Sequence, residues 1–242
     1  MRIALISDVH ANLEALQATL SDIQSQKVDV IHFLGDAVGY GCDPNACVEL
    51  IGKNCQVNLL GNHDFAALGL ESTEHFNEIA TKSLVWTLKE LTDRSLATLA
   101  DFELENISDE FHLVHASPRA PELWEYILTI QEAREQFECT ESNLLCVGHS
   151  HVPVSFTLTP EGTISQRITN ELEIDPENRY IINAGSVGQP RDHDPRACYV
   201  TFDSELSLLR YHRVEYDVAK TISRMELLGL PDSLSERLLV GR

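Results

Sequence analysis

Basic residues are scarce in this chain. Lysine and arginine total 18 against 38 aspartates and glutamates in 242 residues, which gives a formal net charge of −20 and a pI of about 4.7. Such a surface repels phosphate backbones and excludes non-specific nucleic-acid binding. An acidic protein that handles phosphate needs local cations, and bound metal ions are the obvious source. No C-x-x-C pair occurs among the six cysteines, and in a chain of this size their spacing suggests no disulfide framework. Several, such as Cys146 in "LLCVGH", sit in apolar runs and read as small buried hydrophobes in a reducing compartment. No apolar run approaches a membrane span. The apolar stretch of "MRIALISDVH" is too short for a signal peptide and is broken by Asp8. The expectation is a cytoplasmic protein without a membrane partner. No repeat, low-complexity segment or linker is present. A single domain over 1–242 is the simplest reading, and its length allows a sizeable core.

What is present is an alternation. "RIALIS" (2–7), "VDVIHFLG" (28–35) and "CQVNLLG" (55–61) read as strands. "LEALQATLSDIQ" (13–24) and "PNACVELIGKN" (44–54) read as helices, the first with Leu13, Leu16, Leu20 and Ile23 on one face. This βαβαβ order predicts a parallel sheet with right-handed crossovers. Residues 65–103 read as a largely helical insertion, suited to shaping a substrate entrance, to plain core, or to a homo-oligomer contact. Strands return at 111–116 and 144–149 around a helix near 129–138. Then follow β-rich segments at 154–158, 164–169, 180–186, 197–203 and 206–214, and a helical tail at 217–240. The fold class is α/β, with two packed sheets and helices outside.

The ends of the predicted strands carry the chemistry. The first ends in Asp8-Val9-His10-Ala11-Asn12, the second in Gly35-Asp36, and the third in Gly61-Asn62-His63-Asp64. The next two end in Val114-His115 and Gly148-His149-Ser150-His151. Each piece alone has an ordinary explanation: Asn12 as a helix N-cap, Asp36 as turn chemistry, His115 as a core histidine. In parallel α/β sheets, however, sites lie outside the carboxyl ends of strands. Five of the ten histidines would meet at one rim. Mixed His, Asp and Asn ligands suit divalent manganese, iron, zinc, nickel or cobalt. They are too many for one tetrahedral ion. Two ions sharing a bridging aspartate form the usual clamp for phosphoester hydrolysis.

The ordered set D-x-H, G-D, G-N-H-D, H, G-H-x-H resembles the calcineurin-like metallophosphoesterase superfamily over residues 1–203 or more. The strings "GDAVGYG" and "NAGSVGQPRD" resemble its small prokaryotic branch, loosely described as related to diadenosine tetraphosphatase. The resemblance implies a four-layer α/β/β/α sandwich with two mixed sheets. It implies that Asp8, His10 and His151 hold one divalent ion and that Asn62, His115 and His149 hold a second, with Asp36 bridging. Manganese is the first expectation for both ions, with iron, zinc, nickel, cobalt or magnesium as alternatives. His63 would act on the leaving group and Asp64 would orient His63. A hydroxide bridging the ions would attack phosphorus. Asn12 and Arg191 are candidate substrate contacts, the alternatives being a helix cap and a surface salt bridge. Tyr40 could stack on a base or pack at the rim. Relatives more commonly carry glycine at Ala11 and Ala116. The protein-phosphatase branch and the symmetric dinucleoside tetraphosphatases typically have an arginine in the G-D motif and glutamate after G-N-H. Here Val38-Gly39-Tyr40-Gly41 has no arginine, and Asp64 replaces the glutamate. Small-molecule or nucleotide phosphomonoesters or phosphodiesters are therefore the expected substrates, ahead of dinucleoside polyphosphates and phosphoproteins. A non-catalytic metal-binding scaffold is the alternative from another class.

Overall fold

The structure, a computed structural model, describes residues 1–71 and 76–242. Strand β1 (Arg2–Ile6) alternates between two environments. Ala4 and Ile6 pack with the helices, whereas Ile3 and Leu5 pack against a second sheet. That period of two is what a strand buried on both faces requires. β1 pairs in parallel with β2 (Val30–Phe33), which pairs in parallel with β3 (Val57–Asn58). On its other side β1 meets β11 (Ala197–Asp203) antiparallel, followed by β12 (Leu208–Val214) and the edge strand β9 (Glu171–Glu173). The second sheet runs β4 (Glu105–Ile107), β5 (His112–Val114), β6 (Leu144–Val147), β10 (Arg179–Asn183), β7 (Val154–Leu158) and β8 (Ile164–Arg167). Both six-stranded sheets are mixed.

Between the sheets lies a core that includes Ile3, Leu5, Leu113, Cys146, Ile182 and Phe202. Outside the first sheet, α1 (Leu13–Ser25) and α2 (Pro44–Asn54) bury Leu16, Ile23, Val48 and Ile51. Outside the second, α6 (Ile130–Phe137) buries Ala133 and Phe137 against Leu145, Val147 and Ile181. The result is the four-layer sandwich implied by the sequence.

The expected insertion resolves into α3 (Asn62–Ala67), α4 (Glu78–Glu90) and α5 (Asp93–Ala100). The tail forms α7 (Val218–Leu227) and α8 (Asp232–Val240). Tail and insertion share a small core in which Ala80, Met225, Leu234 and Leu238 surround Tyr40. Helix α7 is further fixed by ion pairing of Arg224 with Asp43 and by Thr221, whose hydroxyl donates to Asn12 Oδ1 at 3.2 Å.

Two expectations change in detail. The predicted strand at 55–61 shortens to Val57–Asn58, because only His32 and Phe33 are opposite it. The chain then bridges from Leu59 to Glu103. Second, "GNHD" does not simply end a strand but opens a helix. Gly61 is the N-cap of α3 and Asn62, His63 and Asp64 form its first turn.

Candidate metal centre

The carboxyl ends of β1, β2, β5 and β6 and the start of α3 meet at one rim. Backbone bonds lock them together: Asp8 N–H donates to Gly35 O at 2.9 Å, His10 N–H to Asp36 O at 3.0 Å, and Gly148 N–H to His115 O at 2.8 Å. His149 N–H crosses between sheets to Asp8 Oδ2 at 3.1 Å. The turns are tight. Asp8, His10, Asp36, His149 and His151 all have φ between +47° and +62°, in the left-handed region. For non-glycine residues that costs on the order of 1 kcal/mol each, and such residues gather at functional sites. Ala11 shares the conformation at φ +51°, which glycine would adopt at less cost.

Three histidines are held by the same device. His10 Nδ1 lies 3.0 Å from Val38 O, His115 Nδ1 2.7 Å from Leu34 O, and His151 Nδ1 2.6 Å from Gln189 O. A carbonyl only accepts, so each Nδ1 carries the proton and each Nε2 is the inward-facing nitrogen. The Nε2 atoms of His10 and His151 are 3.1 Å apart, and that of His151 is 3.2 Å from Asp8 Oδ1. His115 Nε2 is 3.4 Å from Asp36 Oδ2. A cation among these ring nitrogens and carboxylate oxygens would relieve their repulsion. Asp8 Oδ1, Asn62 Oδ1 and His115 Nε2 are buried with no hydrogen-bond partner, and a bound metal ion would satisfy them. Two groups of ligand atoms, each within 4.8 Å of one another, share Asp36: Asp8, His10, Asp36 and His151, and Asp36, His115 and His149. The donor set fits divalent ions of the borderline class.

The charges agree with this. Burial drives the imidazoles of His10 and His151 below their usual range, His149 down to about 3 and His63 to about 4, so they are neutral near pH 7. His115 is buried too, but Asp36 and Asp8 facing it raise it to about 9. Burial opposes ionisation of Asp8 and Asp36, and the neighbouring imidazoles nevertheless hold both carboxyls below the ordinary range.

His63 sits above the cluster. Its backbone N–H donates to Asp36 Oδ1 at 2.9 Å. Its ring packs among Tyr40 (4.4 Å between centroids), Phe76 (5.0 Å) and His10 (5.0 Å), and its Nδ1 has no partner. A Cβ on Gly39, where φ is +85°, would overlap His63 Nδ1. One on Gly61 would overlap Asp36 Oδ1.

Two residues given roles by the resemblance have other partners in the structure. The Asp64 carboxylate is engaged by backbone donors. Its Oδ2 accepts from Ala37 N–H (3.0 Å) and Gly61 N–H (3.1 Å), and its Oδ1 from Val38 N–H (3.0 Å). Successive helical residues point about 100° apart, so neighbours in sequence diverge. Burial and the charge of Asp36 push its carboxyl up to about 7, against those three donors. Asn12 is not available to substrate. Its Oδ1 accepts from Ala15 N–H (3.2 Å) and Thr221, and its Nδ2 donates to Gly188 O (2.9 Å) and Tyr216 (3.2 Å). That uses the full capacity of the amide. Arg191 does reach the rim: its guanidinium carbon lies 5.7 Å from the centre of the Tyr40 ring, and its charge acts on His63 and His151.

Nothing in the sequence marks the aromatic wall beyond His149. Tyr126 stacks on the His149 ring at 4.2 Å and 22°, and Trp124 lies edge-on to His115 at 6.0 Å. Both belong to an irregular segment with no motif, so only the folded chain places them.

A buried Asp/His cluster at the strand ends of two mixed sheets is a site that could hold metal ions. Residues 1–206 match the calcineurin-like phosphoesterase superfamily domain. An uncharacterized protein of Methanocaldococcus jannaschii is 41% identical over 245 residues, spanning 99% of this chain and 98% of that one. The crystal structure of a metallophosphoesterase from Sphaerobacter thermophilus is also 41% identical, with a TM-score of 0.88 over 100% of this chain and 99% of that chain. A hypothetical protein from Pyrococcus horikoshii shares the fold at 19% identity and a TM-score of 0.79, covering 100% and 98% of the two chains. The chain belongs to the calcineurin-like phosphoesterase superfamily, and it is a metallophosphoesterase. Among the described residues no helix is long and apolar enough to cross a membrane.

Proposed function

We propose that the protein is a dinuclear metal-dependent phosphoesterase acting on a small-molecule or nucleotide phosphomonoester or phosphodiester. The observation that carries this reading is the pair of ligand groups sharing Asp36. Asp8, His10 and His151 would hold one ion, and Asn62, His115 and His149 the other, with Asp36 common to both. Manganese suits these ligands, as do iron, zinc, nickel, cobalt and magnesium. Bound there, two divalent ions acidify water and neutralise phosphoryl oxygens.

The remaining work belongs to the chain. His63 stands over Asp36 with an unpartnered ring nitrogen. Neutral in the free protein, it offers a hydrogen bond to the oxygen that departs from phosphorus and stabilises charge developing there. Arg191 supplies the positive charge at the His151 side of the rim and fits a phosphoryl oxygen. The walls of Tyr40 and Phe76 exclude water from His63. The test is hydrolysis of p-nitrophenyl phosphate and its bis-ester by metal-stripped protein reconstituted with manganese. Turnover dependent on metal supports the reading. Absence of turnover on both esters and on nucleotides, with two ions bound, would favour a non-catalytic scaffold.

A further inference from the structure

The two sides of the rim differ in character. Arg191 and Tyr40 stand beside His151 and His10. Beyond Asn62 and His149, by contrast, the rim opens into a cleft of about 420 Å³ walled by Phe76, Leu123, Trp124 and Tyr126, with Glu71 and Glu122 at its edge. Leu123 is 65% exposed and Tyr126 46% exposed, so apolar surface faces solvent directly beside two candidate metal ligands. Trp124 adopts φ +53°, a conformation that bulky residues rarely take. It is held there by an indole N–H donating to Glu71 Oε2 at 2.7 Å and by edge-on packing against Phe65 at 5.5 Å. Such strain persists where the surroundings fix it, commonly at ligand sites.

We infer that this cleft receives the organic group of the substrate, and that the group is a planar ring without negative charge, such as a nucleoside, joined through a single phosphate. The inference rests on the phosphoesterase reading above and narrows its substrate class. Aromatic and leucine side chains bind the faces of planar rings. Carboxylates accept from the amino groups of a base. The same carboxylates repel further phosphates. Among the described lining residues there is no lysine or arginine to offset them, and the chain as a whole carries −20. A polyphosphate chain laid into this cleft would therefore be disfavoured.

The test uses manganese-loaded protein in two arms. The chain has two tryptophans, Trp86 and Trp124, so Trp86→Phe leaves Trp124 as the only indole. In the first arm, adenosine 5′-monophosphate, ribose 5-phosphate and adenosine 5′-triphosphate are titrated against its fluorescence. Saturable quenching by the monophosphate and none by ribose 5-phosphate is expected. In the second, kcat/KM is compared across the same esters. The nucleoside monophosphate is expected to exceed ribose 5-phosphate by about tenfold, in line with one base stacked. Leu123→Ala should reduce that ratio, and Glu122→Lys should raise the triphosphate relative to the monophosphate by about fivefold through charge reversal. Equal kcat/KM for the nucleoside and ribose esters with no Trp124 signal overturns the inference, as does a wild-type preference for the triphosphate. Hydrolysis of no ester would count against the phosphoesterase reading alone. The fluorescence arm would still decide the cleft: saturable quenching by the monophosphate upholds it and a flat titration overturns it.

Discussion

His10 and His151 face each other through Nε2 atoms 3.1 Å apart, while the Nδ1 of each is spent on a backbone carbonyl. Both imidazoles are held neutral by burial, so neither has a proton to place between them. A cation between them would relieve the contact, so the fold is expected to be sensitive to metal.

Removing metal should therefore lower thermal stability. At a free metal concentration about a hundred times the dissociation constant, each bound ion stabilises the native state by about 2.7 kcal/mol. For a chain of this size that corresponds to roughly 5–10 °C in Tm. Calorimetry of stripped and manganese-loaded protein checks this, and an unchanged Tm would contradict it.

Asp64→Asn separates two roles for that carboxylate. If it holds the backbone at Ala37, Val38 and Gly61, the amide loses acceptor capacity and places a donor against a donor. The expected cost is about 2–3 kcal/mol, with weaker metal binding as the Asp36 loop loosens. Denaturant unfolding and metal analysis read both. A fall in kcat alone, at unchanged stability, would instead indicate that Asp64 acts through His63.

Gly39→Ala should impair catalysis more than metal binding. The added Cβ would overlap His63 Nδ1, and φ is +85° at this position. His63 must shift, so kcat is expected to fall at least tenfold while two ions remain bound, with a stability loss of about 1–2 kcal/mol from the left-handed backbone. Retained kcat would show that the exact placement of His63 matters little.

One thiol in six should be reactive in the native state. Cys139 is exposed, whereas Cys42, Cys47, Cys55, Cys146 and Cys198 are buried. Burial and Asp43 push the Cys42 thiol up to about 12, further suppressing its thiolate. Titration with Ellman's reagent should give one fast equivalent natively and six in guanidinium.

The layered fold was legible because strands buried on both faces read as apolar runs and α1 carries its apolar residues at helical spacing. The three-residue edge strands Glu105–Ile107 and Glu171–Glu173 were not, since polar, half-exposed segments of that length carry no periodic signal. At the site, the residues grouped by the fold were visible as repeated polar endings of successive strands. Their orientation was not visible. The carbonyls of Leu34, Val38 and Gln189 that fix three imidazoles come from distant segments and have no side-chain signature. Adjacency to His63 did not reveal the backbone partners of Asp64, because a helical first turn sends neighbouring side chains in different directions. Trp124 and Tyr126 reach the rim through an irregular loop that no motif announces.

The most direct test of the central claim is turnover and metal content of His63→Ala measured on the same manganese-reconstituted sample. The account expects two ions per chain, as in the wild type, with kcat on p-nitrophenyl esters reduced by about 10²–10⁴, the usual contribution of a positioned acid or hydrogen-bond donor. Wild-type turnover in the variant at full metal content would contradict the role of His63 in the reaction.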